Sequence, residues 1–156
     1  MWVLVLKRGT IKRMKKKDII NLAREIKQNW QTNDPYVIAK KIGVLVFNGA
    51  NVRGFKAHTI KLGSYPTTIW INEAYTDVSK KVLCAHELGH AILHPDNINY
   101  FGVTPQNVTK SVEYEANLFA LALLVDEKDL SMPLENLSSY AVKSVLDYNI
   151  KLQDKN

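Results

Sequence analysis

The first part of the chain contains signals for two helices, the longer one from apolar residues that recur at helical spacing. The longer stretch predicts an amphipathic helix over about residues 15 to 30 with one buried stripe. Asp34 followed by Pro35 is typical of an N-cap with proline at the first helical position, and Gly43 is a suitable end for the short helix between them. The stripe of the longer helix consists of Ile19, Ala23, Ile26 and Trp30.

Three short runs of strand-forming residues follow these two predicted helices. They cover residues 44 to 47, 55 to 60 and 67 to 72, and a Gly63-Ser64-Tyr65-Pro66 turn separates the last two. Three strands that come after two helices predict an α+β fold and not a repeated βαβ unit.

The second half of the chain is predicted to be mostly helical. From about Asp77 the apolar residues return to helical spacing until Pro95 ends the pattern, which predicts a long and mostly buried helix. Residues 95 to 110 contain two prolines and a glycine, so we expect a loop that reverses the chain. A second apolar helix is predicted from Ser111 to Val125, and the remainder is predicted to be helical in one or two pieces between Leu134 and Gln153.

Positive charge is concentrated at the beginning of this 156-residue chain, whose net charge is +6. Residues 1 to 17 contain seven Lys and Arg and no acidic residue, whereas the rest contains 14 basic and 15 acidic side chains. We therefore predict a solvated, poorly ordered basic leader over residues 1–14, a domain over 15–125 and a C-terminal helical segment over 126–156 that packs on the same domain. Since the body of the domain carries no excess positive charge, we do not expect it to bind nucleic acid directly.

Cysteine content and hydropathy bear on where the protein acts. Cys84 is the only cysteine, so an internal disulfide cannot form, and its position predicts a buried core thiol. No stretch approaches the roughly 18 uninterrupted apolar residues of a membrane-spanning helix. The run from Trp2 to Leu6 is too short for a secretory signal and has no basic region before it. We therefore expect a cytoplasmic protein with no membrane partner.

The most informative residues are His86-Glu87-Leu88-Gly89-His90, an HExxH sequence inside the long predicted helix. Histidines four residues apart lie on the same helical face, so both imidazoles can reach one metal ion. A zinc ion with three protein ligands keeps a water molecule and lowers the pKa of that water toward about 7. Glu87 would then be the general base that removes its proton. This pattern predicts hydrolysis of a peptide or amide bond with one Zn²⁺ per chain.

A third protein ligand is expected from the next helix, which contains Glu113 and Glu115. Residues two apart on a helix diverge by about 200°, so both carboxylates cannot bind the same ion. Glu113 is the preferred ligand because Asn117 lies four residues on, placed to accept a hydrogen bond from a ligand histidine. Glu115 remains the alternative.

Two further histidines are not expected to bind the metal. His94 lies about 12 Å along the helix axis from the first motif histidine, so it is too distant to share an ion with 2 Å bonds, and we expect a cationic group at the helix C-terminus. His58 falls in a predicted strand with no motif around it and is expected to be structural.

A peptidase must also hold an extended substrate. The strand before the metal-binding helix alternates apolar and polar residues, so we expect one face in the core, one toward a cleft, and a free edge to which substrate adds. The predicted substrate-binding residues are Thr68, Ile69, Trp70 and Ile71.

Two motifs together resemble the ImmA/IrrE family of zinc metallopeptidases. The first covers residues 86 to 94, and the second begins at Glu113 and continues through Ala116-Asn117-Leu118-Phe119-Ala120. Gly54-Phe55 and the strand over residues 69 to 72 extend the resemblance to about residues 35 to 125. It implies a small zincin-like metallopeptidase in which a three-stranded sheet packs on the active-site helix and a glutamate-bearing helix follows. It also implies that His86, His90 and Glu113 are the metal ligands.

Members of this family are cytoplasmic, and several cleave or inactivate helix-turn-helix repressors of mobile genetic elements or stress regulons. The resemblance therefore implies a zinc endopeptidase that relieves repression by acting on such a repressor. The alternative is a metal-containing binding module that inactivates a repressor without proteolysis. A DNA-binding regulator is not favoured, because the charges of a possible helix-turn-helix after Leu134 cancel.

Overall fold

The chain folds into five α-helices and one three-stranded sheet in a computed structural model that describes residues 14–50, 55–95 and 110–154. The basic leader up to residue 13 and the predicted loop between the two long helices lie outside the described residues. The elements are α1 (Lys16–Trp30), α2 (Pro35–Lys41), β1 (Leu45–Gly49), β2 (Ala57–Ile60), β3 (Thr68–Asn72), α3 (Asp77–Leu93), α4 (Lys110–Leu124) and α5 (Ser139–Tyr148), with 3-10 turns at Glu127–Asp129 and Leu134–Asn136.

The predicted helix boundaries follow from local hydrogen bonding. The Asp34 carboxylate accepts a hydrogen bond of 2.9 Å from the Tyr36 amide at the start of α2. Gly43 has φ of 80°, a left-handed conformation that favours glycine, and it turns the chain out of α2. At the start of α3 the Thr76 hydroxyl accepts from the amide of Ser79 at 3.2 Å. The α+β arrangement and these helix starts are as the sequence predicts.

The sheet is mixed, with strand order β1-β3-β2. β3 lies in the centre, parallel to β1 and antiparallel to β2, so that Trp70 is paired with Phe47 on one side and His58 on the other. The predicted free edge of the substrate-binding strand Thr68–Ile71 is therefore wrong. A central strand uses its backbone groups on both sides, so no further strand can add to it.

One face of the sheet packs against the helices, and the other face is directed toward solvent. Ile69 and Ile71 are fully buried, whereas Trp70 is 40% exposed and contacts Phe47 on the outer face. The predicted alternation fails at Asn72, which is buried: its side chain donates to the Phe55 carbonyl and accepts from the Ala74 amide.

The hydrophobic core lies between α1, α3, α4 and the inner face of the sheet. Every residue of α4 from 118 to 123 is buried. Gly89 in the C-terminal half of α3 allows the two long helices to approach closely, because a Cβ there would stand 3.1 Å from the carbonyl oxygen of Ala116. Cys84 is buried in this core, as predicted.

The C-terminal segment packs on the same helices. Val142 and Leu146 of α5 are buried, and the Ser79 hydroxyl of α3 donates to the carbonyl of Asn149. Because only one α-helix follows the 3-10 turns in the described residues, this segment does not form the helix-turn-helix considered above. No helix within the described ranges is both long and apolar enough to cross a membrane.

Candidate metal centre

His86 and His90 lie one turn apart on the face of α3 that points toward α4. Their Nε2 atoms are 3.1 Å apart, and the two rings meet edge to face. Both side chains are mostly buried. The helical spacing of the motif therefore brings two imidazole nitrogens to one point.

Glu113 in the first turn of α4 completes a cluster with these histidines. Its carboxylate oxygens lie 3.3 Å from Nε2 of His86 and 2.9 Å from Nε2 of His90. Ligands at 2.0 to 2.1 Å from a tetrahedral zinc ion are about 3.3 Å from one another. The three donors therefore have the chemistry and spacing that a zinc ion requires, and within the described part of the chain this is the group of His, Cys, Asp and Glu that could hold a metal.

The electrostatics of this cluster favour bound cations. Hydrogen bonds from His86 and His90 hold the pKa of the Glu113 carboxyl far below its usual range, so this group stays ionised. Burial lowers the pKa of His86, but the hydrogen bond to Glu113 and the charge of Glu87 outweigh it, and the net pKa is raised. Because a histidine must lose its proton to bind a metal ion, an ion that binds here competes with the proton on His86.

Glu115, the alternative ligand, faces away from the cluster. Its Oε2 lies 2.6 Å from Nε2 of His94, and both side chains are mostly buried. Burial lowers the pKa of His94 more than the Glu115 carboxylate raises it, which argues against the cationic group expected at the helix C-terminus. The structure thus brings His86, His90 and Glu113 together. Glu115 instead contacts His94, which lies one turn of α3 beyond His90.

Asn117 lies four residues beyond Glu113, on the same face of α4. Its side chain is near enough to His86 to contribute to raising the pKa of that histidine. The hydrogen bond that the four-residue spacing predicts, which would orient the imidazole, stays a prediction.

Glu87 is partly buried beside the cluster and contacts a residue that the sequence analysis missed. The Thr59 hydroxyl of β2 donates to Glu87 Oε2 at 2.6 Å and lies 3.3 Å from the main-chain oxygen of Glu87. Thr59 itself is buried. A threonine in a strand is common for reasons of β propensity alone, so the sequence contains no signal for this contact.

His58 lies in β2, as predicted, but it faces away from this cluster. It is exposed on the outer face of the sheet, where its ring contacts Phe55 with centroids 4.7 Å apart. The predicted substrate-binding residues Thr68, Ile69, Trp70 and Ile71 are in the central strand described above.

Comparison with known proteins gives the context of this cluster. The profile of a peptidase family, Peptidase_M78, described as the IrrE N-terminal-like domain, matches residues 39–151. The chain is also 30% identical over 106 residues to "Uncharacterized immunity region protein 2" of Bacillus phage phi105. That match covers 64% of this chain and 63% of the relative, so the chain spans less than two thirds of the relative's length. No solved structure matches the chain significantly. Because the family profile covers most of the chain, including both motifs, this protein belongs to the M78 peptidase family with IrrE N-terminal-like domains.

Proposed function

We propose that the protein is a zinc-dependent endopeptidase that cleaves a helix-turn-helix transcriptional repressor in the cytoplasm and so relieves repression. The observation that carries this proposal is the position of Glu87 beside the cluster of His86, His90 and Glu113. The fold would then be a small zincin-like one, in which α3 supplies two ligands and the base and α4 supplies the third ligand.

His86, His90 and Glu113 would hold the zinc ion, and Asn117 would orient His86. When bound, the ion polarises the scissile carbonyl and lowers the pKa of water. Glu87 takes a proton from the attacking water on a carboxylate oxygen and delivers it to the amine nitrogen of the leaving group. Glu113 is 47% exposed, so the cluster is open to solvent and to substrate on that side.

The edge strand β2 is a better place for the substrate than β3. The amide of Asn72 donates to the carbonyl of Lys56 at 2.9 Å, so alternate residues of β2 direct their backbone groups toward β3. The backbone groups of Ala57 and Thr59 consequently point to the opposite side of the strand. An extended substrate that adds there would pass next to Glu87.

The repressor as substrate rests on the relative from the phage. The name of that protein places it in an immunity region, which agrees with the repressor substrates that the resemblance to the ImmA/IrrE family implies. The alternative function is a metal-containing module that inactivates a repressor by binding alone. Glu87 argues for the peptidase, because a binding module does not require a carboxylate held beside a metal site.

Co-expression with the repressor encoded nearest the gene tests this function. We expect a specific repressor fragment with the wild-type protein and none with Glu87→Gln, which removes the base but keeps the size of the side chain. Both proteins should contain equal zinc. If the repressor stays intact with the wild type but is still inactivated, the binding module is the correct function.

A further inference from the structure

The contact between Thr59 and Glu87 joins the edge of the sheet to the helix that carries the metal-binding motif. At 2.6 Å it is a short hydrogen bond between a hydroxyl and a carboxylate oxygen. Thr59 is only 5% exposed, and its packing therefore fixes the position of the hydroxyl.

The direction of this hydrogen bond indicates a role beyond packing. A buried threonine hydroxyl has one proton to donate, and here two oxygens of Glu87 are in reach. The main-chain oxygen at 3.3 Å would satisfy the hydroxyl without any involvement of the side chain, yet the carboxylate is the closer acceptor. In the described residues Thr59 is the hydrogen-bond partner of that carboxylate, and it holds Oε2 while Oε1 has no hydrogen bond.

We infer that Thr59 is a positioning residue for the proposed general base Glu87. It binds one carboxylate oxygen and so directs the other toward the water and the leaving group. The inference rests on the proposed function. It adds that β2 has two roles, because the side chain of Thr59 orients the base while its backbone groups point to the edge at which substrate would bind.

Two variants of Thr59 separate positioning from packing. Thr59→Val keeps the branched shape and removes the hydroxyl, whereas Thr59→Ser keeps the hydroxyl and removes the methyl group. With the repressor of the co-expression experiment as substrate, we expect Thr59→Val to lower kcat about 10- to 100-fold, the range typical of residues that orient a reacting group. KM and zinc content should be unchanged, and Thr59→Ser should recover most of kcat.

A second measurement needs no substrate. The melting temperatures of metal-free wild type, Thr59→Val, Glu87→Ala and the double variant form a cycle that reports the coupling between the two side chains. Alanine is used because a glutamine would still accept the hydrogen bond. We expect Thr59→Val to lower the melting temperature less in the Glu87→Ala background than in the wild type.

The outcomes distinguish the inference from the proposed function. If the cycle shows coupling but the wild type cleaves nothing, the contact between Thr59 and Glu87 exists but the proposed function is wrong. A positioning role for Thr59 in catalysis is then wrong too. Additive melting temperatures overturn the inference whatever the activity. The inference is also overturned if Thr59→Val has the same kcat as the wild type. It is overturned as well if Thr59→Val and Thr59→Ser lower kcat equally, because the role of Thr59 would then be packing alone.

Discussion

Oε2 of Glu115 lies 2.6 Å from Nε2 of His94, one helical turn beyond the pair of histidines that Glu113 contacts. Two glutamates only two residues apart on α4 thus contact different histidines of α3. This arrangement fixes the rotation of α4 about its axis, so that Glu113 faces the pair His86 and His90 and Glu115 faces His94.

The two glutamates should therefore differ when each is replaced by alanine. Glu113→Ala should lose zinc, because two histidines alone hold the ion weakly. Glu115→Ala should keep zinc and lower the free energy of unfolding by about 1–3 kcal/mol, because it leaves His94 buried without its partner. Metal analysis and denaturant unfolding measure the two effects. Zinc loss in Glu115→Ala alone would mean that the wrong carboxylate is assigned as ligand.

Replacement of either motif histidine should remove the metal. We expect about one zinc per chain in the wild type and a large loss in His86→Ala and in His90→Ala, measured by elemental analysis after dialysis. His58→Ala is the matched control, because this histidine is exposed on the outer face of the sheet. Full occupancy in both motif variants would refute the site.

Proline in β2 tests where the substrate binds. Ala57→Pro removes an amide that points away from β3, so the protein should fold and bind zinc normally while cleavage falls at least tenfold. His58→Pro removes an amide directed at β3 and should instead destabilise the sheet. Repressor cleavage at the wild-type rate by folded Ala57→Pro would place the substrate elsewhere.

The buried thiol of Cys84 should be unreactive in the folded protein. Burial, and after it the charges of Asp34 and Glu87, raise the pKa of this thiol, so little thiolate forms at pH 8 to 9. Unfolding restores the ordinary, lower pKa. The protonated thiol therefore contributes to stability below that ordinary pKa, and the contribution decreases as pH rises above it. Iodoacetamide should modify the single cysteine far faster in guanidinium chloride than in buffer. Equal rates would show that the residue is accessible.

The sequence predicted the helices, the strands and the pairing of the two motif histidines because these depend on local spacing. The distance between His86 and His90 follows from one helical turn, and the choice of Glu113 followed from Asn117 one turn further on. The position of β3 in the centre of the sheet could not be predicted, since pairing between strands depends on contacts far apart in sequence. Thr59 was missed for the same reason: it lies 28 residues before Glu87 and meets it only after the sheet packs on α3.

The approach of α3 to α4 at Gly89 has a consequence for how distant relatives should be judged. The carbonyl oxygen and Cα of Ala116 would lie 3.1 and 3.2 Å from a Cβ at position 89, so even one methyl group there requires the backbone of α4 to shift, and a larger side chain requires a larger shift. The distance between Glu113 and the histidines depends on that separation. Under the proposed function, a relative that keeps the two histidines and the glutamate of the cluster would still lose activity through a larger side chain at this position. The presence of the ligand residues alone therefore does not identify an active relative. Gly89, which lies between the two histidines of the motif, should be checked as well.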